Sequence, residues 1–518
     1  MVNFRLAGTL FIFAGILGAK MIAETNGGVP GKQGVDAAPV ALVGSPDGSK
    51  LYVAETAGNK IASFGAEKGE IITACSLPNR PSSLALSPDG LTLSVTTKTP
   101  DGLVVALDAG SLKIESQWHA GNTPDALVVG ENGRALFVCN RFSNDVSLLD
   151  IATGRETARI PVEREPVDAA LTPDGKTLVV ANLLPNHCAN GDYVGAAVSV
   201  IDVKSRKLQA IDLADGSTSV RGICVSPDGR FAYAVHILAH YQLPTTQVER
   251  GWMNSAALSV LDIKSRKLVN TVPLDEEESG AADPWSVACT PDGRFLCVTH
   301  AGTHEMSVID RTALHEKLDH SAKGEAGAIP ASNVRDDFSF LAGIRRRINL
   351  PGRGPRALAL SGGKAYVAEY FSNSIDVVDL RESSKSPVVS ISLGPGAPMS
   401  DVRRGEMLFN DATVCRQHWQ SCASCHPDGR VDGLNWDLLN DGIGNPKNTR
   451  SLLLAHKTPP ATWLGVRRSA EEAVRAGFRN IEFTEVSEEN AKTVDAYLKS
   501  LQPVPKRVEA VPSIWISS

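Results

Sequence analysis

The chain has 518 residues, too many for one ordinary core at the usual ~150 residues per domain, so it holds several domains or one large repeat. A formal charge of -6 leaves no basic footprint, which excludes nucleic acid as a partner.

Residues 1–23 place Arg5 ahead of an apolar run from Leu6 to Ala19, the length of a signal peptide and short for a bilayer span. Export, to a periplasm or its equivalent, is expected, with no membrane span left after cleavage. An uncleaved anchor is the alternative, because Met21 fits the small-residue cleavage pattern poorly.

A turn signal then returns seven times: Ser45-Pro46-Asp47-Gly48, Ser87-Pro88-Asp89-Gly90, Glu131-Asn132-Gly133, Thr172-Pro173-Asp174-Gly175, Ser226-Pro227-Asp228-Gly229, Thr290-Pro291-Asp292-Gly293 and Ser361-Gly362-Gly363. Proline presets φ for a turn and glycine accepts a positive φ, while the flanking runs alternate and favour Val, Leu and Ala. Each unit therefore opens with a hairpin, continues into a third strand that often ends in Asp, and closes on a fourth. Leu51-Tyr52-Val53-Ala54-Glu55 and Ala365-Tyr366-Val367-Ala368-Glu369 are second strands of this kind. Four short strands per unit describe the blades of a propeller. On these turns and Tyr-Val-Ala-Glu strands the sequence resembles the YVTN-type seven-bladed β-propellers, over residues 38–393. Two β-sandwiches are the alternative fold. The resemblance implies a fold and no chemistry, since propellers host unrelated functions.

The loops between second and third strands of blades four to six hold five of the eleven histidines: His187, His236, His240, His300 and His304. The propeller resemblance puts these loops on one face, together with Asp283-Pro284-Trp285, Arg353-Gly354-Pro355-Arg356 and Arg250-Gly251-Trp252. Neutral imidazoles converging there suit a second metal ion, with His236, His240, His300 and His304 as its candidate ligands, or a substrate. Histidines bonded within their own loops, or a docking surface, are the competing readings. The blade-six insertion, Arg311 to Leu350, is expected on the opposite face and partly helical, with Arg345-Arg346-Arg347 solvated.

Residues 394–400, rich in Gly and Pro, form a linker, and from Asp401 strand alternation gives way to helical spacing, so a small all-α domain is expected over 401–505. At its centre stands Cys422-Ala423-Ser424-Cys425-His426. C-x-x-C-H in an exported chain proposes one covalent haem c, with Cys422 and Cys425 adding to the vinyl groups and His426 as proximal iron ligand. A disulfide redox pair, or half a zinc site with Cys415 and His418 nearby, remains open. No methionine follows His426, so the sixth position falls to His456, to a residue from before the motif or from the propeller, or stays open. Trp419, Trp436 and Phe478 are candidates to pack the porphyrin, and Arg430, Lys447 and Arg450 to pair its propionates.

Gly405-Glu406-Met407-Leu408-Phe409 resembles the opening helix of c-type cytochrome domains, and Ala496-Tyr497-Leu498-Lys499-Ser500-Leu501 their closing helix. Asn448-Thr449-Arg450-Ser451-Leu452 is similar to a segment of the bacterial di-haem cytochrome c peroxidases. The departure is that one C-x-x-C-H stands in the whole chain, so peroxidase chemistry needing two haems in one chain is not supported. The five-residue linker from Gly394 to Pro398 reaches ~17 Å, which places the haem domain over the histidine-bearing face.

The leading expectation is an exported mono-haem cytochrome fused to a propeller, working in electron transfer or as electron port of a redox enzyme. Its redox partner, a protein or a small donor or acceptor, is not legible. The competing functions are a recognition platform with an auxiliary haem and a metal oxidoreductase centred on the histidine face.

Overall fold

The structure is a computed structural model and describes residues 36–130, 133–243, 253–381, 387–438 and 444–505. The leader and Arg250-Gly251-Trp252 lie outside the described residues. No helix among the described residues is long and apolar enough to cross a membrane.

Seven four-stranded antiparallel sheets, each built from four consecutive strands, span residues 39–76, 81–119, 124–161, 166–212, 217–273, 284–349 and 355–392. The first strands of neighbouring sheets touch all the way round, including the first with the seventh, so the sheets are blades of a closed ring. Local chemistry sets the hairpins. In the Ser/Thr-Pro-Asp-Gly turns the hydroxyl donates to the Asp carboxylate, which also accepts the N–H two residues on, as at Asp174 (2.7 and 3.1 Å) and Asp292 (2.6 and 3.0 Å). Gly175 and Gly293 then take φ of 68° and 73°, a region closed to most side chains. Six first strands begin with proline, which has no N–H to give to the ladder, and the register shifts just after each one.

Second strands are buried almost throughout, and fourth strands, such as Ile71–Ser76, lie at the exposed rim. Apolar clusters fill the gaps between blades. That between blades one and seven, with Leu42, Val53, Phe64, Tyr366, Ile375 and Leu393, makes the closing seam. Among the described residues no strand crosses this seam; Ala37 N–H donates to Asn373 Oδ1 (2.9 Å), and Asp36 pairs with Arg403 of the following domain at 2.7 Å.

The blade-six insertion is partly helical, as expected: helix α1 (Arg311–Lys323) is capped by the Asp310 carboxylate, which accepts from Ala313 N–H at 3.0 Å. The Arg345-Arg346-Arg347 run is half-buried rather than solvated. Arg345–Asn349 is the fourth strand of blade six, where Arg345 pairs with Glu276 (2.7 Å) and Arg347 with Glu305 (2.6 Å) and the Gly280 carbonyl (2.6 Å). Strand alternation and neighbouring carboxylates absorb a run that reads as a charged surface in sequence.

Candidate haem site on the propeller face

Beyond the propeller, helices α2 (Asp401–Phe409), α4 (Ala470–Asn480) and α5 (Glu488–Ser500) enclose Leu408, Phe409, Phe478, Val494, Tyr497 and Leu498. Each starts on a serine cap, Ser400, Ser469 or Ser487, whose hydroxyl accepts a first-turn N–H. Gly405 lets α2 meet α5: a Cβ there would overlap the Thr493 carbonyl oxygen.

Cys422 and Cys425 bracket the single turn α3 (Cys422–Cys425), capped by Ser421, with Ser424 Oγ accepting the Ser421 N–H at 2.9 Å. The propeller grips this turn. Asp283, from the loop entering blade six, accepts from the hydroxyls of both Ser421 and Ser424 at 2.6 Å. Asn254 of blade five donates to Gln420 Oε1 (3.0 Å) and Cys425 Sγ (3.2 Å), and Thr218 Oγ1 donates to the Asp432 carbonyl (2.7 Å). Arg141 and Arg221, from blades three and five, bind Asp428 at 2.7 and 3.1 Å. Burial opposes ionisation of Asp428, but Arg221 and Arg141 outweigh it and hold the carboxyl well below the usual carboxylate range. The haem-motif segment thus seats on the face that bears the loops between second and third strands and between blades.

His426 is held neutral by burial, with Nδ1 3.2 Å from the Arg430 carbonyl. That bond favours the ring proton on Nδ1, the tautomer in which Nε2 is the nitrogen that can bind a metal, and the Arg450 backbone also bonds the ring. Cys422, Cys425 and His426 line one open cleft enclosing about 1900 Å³ of atom-free space, mouth included. His456 lines the same cleft, on the one-turn helix Ala455–Lys457, and its Nδ1 is buried with no hydrogen-bond partner. Trp436, Leu438, Leu452 and Val474 supply apolar walls, and Lys447 and Arg450 positive charge. Two thiols, a metal-ready imidazole, an apolar slot and cations at its edge fit a covalently held haem. Glu482 also lines the cleft; burial pushes its carboxyl up to about 8, so it is a neutral acid beside Cys415 and Cys422.

Other expectations divide. Phe478 packs in the helical core, Arg430 stacks over Phe142 (4.6 Å), and Trp419 faces Phe338 (5.3 Å) in a different cleft. The structure does not gather the histidines. Among the described residues no three His, Cys, Asp or Glu side chains stand where they could hold a metal ion. His236 and His300 are buried in second strands, each with Nε2 2.8 Å from a serine of the third strand, Ser259 and Ser307. Asn140 and Asn182 make the same bond to Ser147 (2.8 Å) and Ser199 (3.0 Å) from the same register position, so these two imidazoles are repeat-position spacers. His304 lies 3.3 Å from Asp411 and accepts from Gly354 N–H (3.2 Å), pinning the haem domain; His240 lines the cleft of Trp419, and exposed His187 leans on Tyr193. Sequence reasoning passed over Asp283 as a clamp and Met253, which lines the haem cleft from the propeller. Neither carries a local signal, since each meets the motif across more than a hundred residues.

The sequence model of the di-haem cytochrome c peroxidase family matches residues 400–515. The chain is 26% identical over 221 residues to hydrazine synthase subunit beta of Kuenenia stuttgartiensis, covering 40% of this chain and 52% of that protein. It is 41% identical over 76 residues to hydrazine synthase subunit gamma of the same organism, covering 14% of this chain and 22% of that protein. The chain therefore spans about half the length of the first relative and about a fifth of the second. A solved chain of Kuenenia stuttgartiensis hydrazine synthase superposes with a TM-score of 0.61 at 22% identity, over 68% of this chain and 98% of that one, a likeness of fold.

Proposed function

We propose that this chain, a seven-bladed β-propeller with a C-terminal haem redox domain of the cytochrome c peroxidase type, is an exported electron-transfer protein. It binds a single haem through Cys422 and Cys425, with His426 as proximal ligand. The observation that carries the reading is the convergence of Cys422, Cys425, His426 and His456 on one apolar-walled cleft. A haem bound there supplies a one-electron couple. Around it the chain's residues have separate tasks. His426 offers Nε2 while the Arg430 carbonyl fixes its ring. Asp283 and Asn254 hold the attachment turn, and Lys447 and Arg450 supply charge for the propionates. Glu482, neutral at pH 7, adds no charge to the cleft. His456 would supply a second imidazole to the iron, because its Nδ1 is buried in that cleft without a partner. The likeness to two hydrazine synthase subunits supports a redox setting, and the apolar leader supports export.

The test is spectroscopic. Cys422→Ala/Cys425→Ala is expected to abolish haem staining after denaturation, and His456→Ala to convert a low-spin ferric spectrum to high spin. Covalent stain retained in the double variant would reject the attachment. An unchanged low-spin spectrum in His456→Ala would move the sixth position to Met253, which Met253→Leu then checks.

A further inference from the structure

We propose that the cleft wall built by residues 447–468 is the docking surface for an acidic electron-transfer protein. The proposal rests on the haem reading above and names the partner chemistry that reading lacks. From Gly444 to Ala470 the chain holds Lys447, Arg450, Lys457, Arg467 and Arg468 and no Asp or Glu, in a protein whose net charge is -6. The same segment shows large apolar side chains to solvent: Trp463 is 58% exposed, Leu464 57% and Val466 39%. Trp463 is fixed in place by its Nε1–H, which donates to the Asn448 carbonyl at 2.5 Å. An apolar centre in a segment whose own charges are all positive, with Glu471 and Glu472 following at its end, is the composition of a recognition patch, and solitary surface leucines elsewhere need no such account.

Position ties the patch to electron flow. Trp463, Arg450 and His456 line the haem cleft, so a protein seated on Leu464 and Val466 is one side chain away from it. Arg450 and Arg467 line the cleft and serve its contents, whereas Lys457 and Arg468 do not line it and are exposed, with Arg468 paired only at 3.4 Å to Glu472. Those outward cations repel a basic partner and steer an acidic one, an effect that raises association rates by roughly 10- to 1000-fold and fades with salt.

The holoprotein, oxidised, is mixed with reduced flavodoxin, a small acidic donor, and haem reduction is followed by stopped flow. The second-order rate constant is expected to fall about tenfold between about 10 and 300 mM NaCl as the charges are screened. Lys457→Glu/Arg468→Glu is expected to lower the low-salt rate about tenfold and flatten its salt dependence, and Leu464→Ser to lower the rate at every salt concentration. Dithionite reduction and the haem spectrum should stay unchanged in both. A double variant with normal haem and the wild-type flavodoxin rate would overturn the docking surface alone. A preparation without haem overturns the earlier reading and this one with it. Co-sedimentation with phosphatidylserine-containing vesicles that the double variant loses, with flavodoxin kinetics unaltered, would reassign the patch to a membrane.

Discussion

Asp283 offers the sharpest test of how the propeller and the haem segment cooperate. Its carboxylate accepts from Ser421 and Ser424, both 2% exposed, so in Asp283→Ala neither hydroxyl regains a partner from solvent. Hydrogen bonds to a charged group contribute about 1.5–3 kcal/mol each, so losing both costs about 3–6 kcal/mol. Asp283→Asn keeps one acceptor oxygen and is expected to lose about half of that. The cost falls on the docked state of the Cys422–Cys425 turn. Guanidinium unfolding followed at the haem absorbance should show it, while far-ultraviolet dichroism reports the blades separately. A double-mutant cycle with Ser421→Ala/Ser424→Ala isolates the interaction, since apolar replacement of both sides leaves no orphaned hydroxyl. A coupling energy below about 0.5 kcal/mol would refute the clamp and reduce the propeller to a passive neighbour.

Gly405→Ala is expected to cost about 1–3 kcal/mol in the haem domain, because the added methyl meets the rigid Thr493 carbonyl rather than a movable side chain; an unchanged unfolding midpoint would contradict the close approach. Asp275, fully buried between blades five and six and accepting from Ala256 N–H (2.7 Å) and Ala281 N–H (2.6 Å), has its carboxyl pushed by burial from 3.8 to about 7. The folded state therefore binds this proton more tightly than the unfolded chain. Its contribution is complete below pH 4 and is lost as pH rises through 7, at most about 1.4 kcal/mol per pH unit. Denaturant midpoints at pH 4.5 and 7.5 should show a smaller difference in Asp275→Asn than in wild type, and equal differences would count against a raised carboxyl.

The propeller was legible because its signals are local. A Pro-Asp-Gly turn closes its own hydrogen bonds within five residues, and buried second strands announce themselves as unbroken runs such as Leu178-Val179-Val180-Ala181. The C-x-x-C-H motif is equally self-contained. The histidines misled because polarity was read without register. Aligned blade on blade, His236 and His300 occupy the place of Asn140 and Asn182, opposite a serine two residues along the partner strand, and the repeat itself predicts a structural bond there. Arg345 to Arg347 misled in the same way, since a charged run is also a rim strand when carboxylates such as Glu276 and Glu305 face it. Asp283 and Met253 lay beyond reach because their partners are set by the docking of two domains.

The seam between blades one and seven has a consequence for quality control. With no strand among the described residues woven across it, the ring is fastened by side-chain packing, by the Ala37 N–H to Asn373 Oδ1 bond, and by Arg403, which reaches from the first helix after the propeller to Asp36 on the far side of the join. One of these fastenings therefore depends on a residue synthesised after every blade. A product that stops before residue 401 keeps the packed seam and the Ala37–Asn373 bond and lacks only the Arg403 tie. In the full-length protein α2 carries both Arg403, which closes on Asp36, and Phe409, which lines the candidate haem cleft, so one helix serves the join of the circle and the wall of the site.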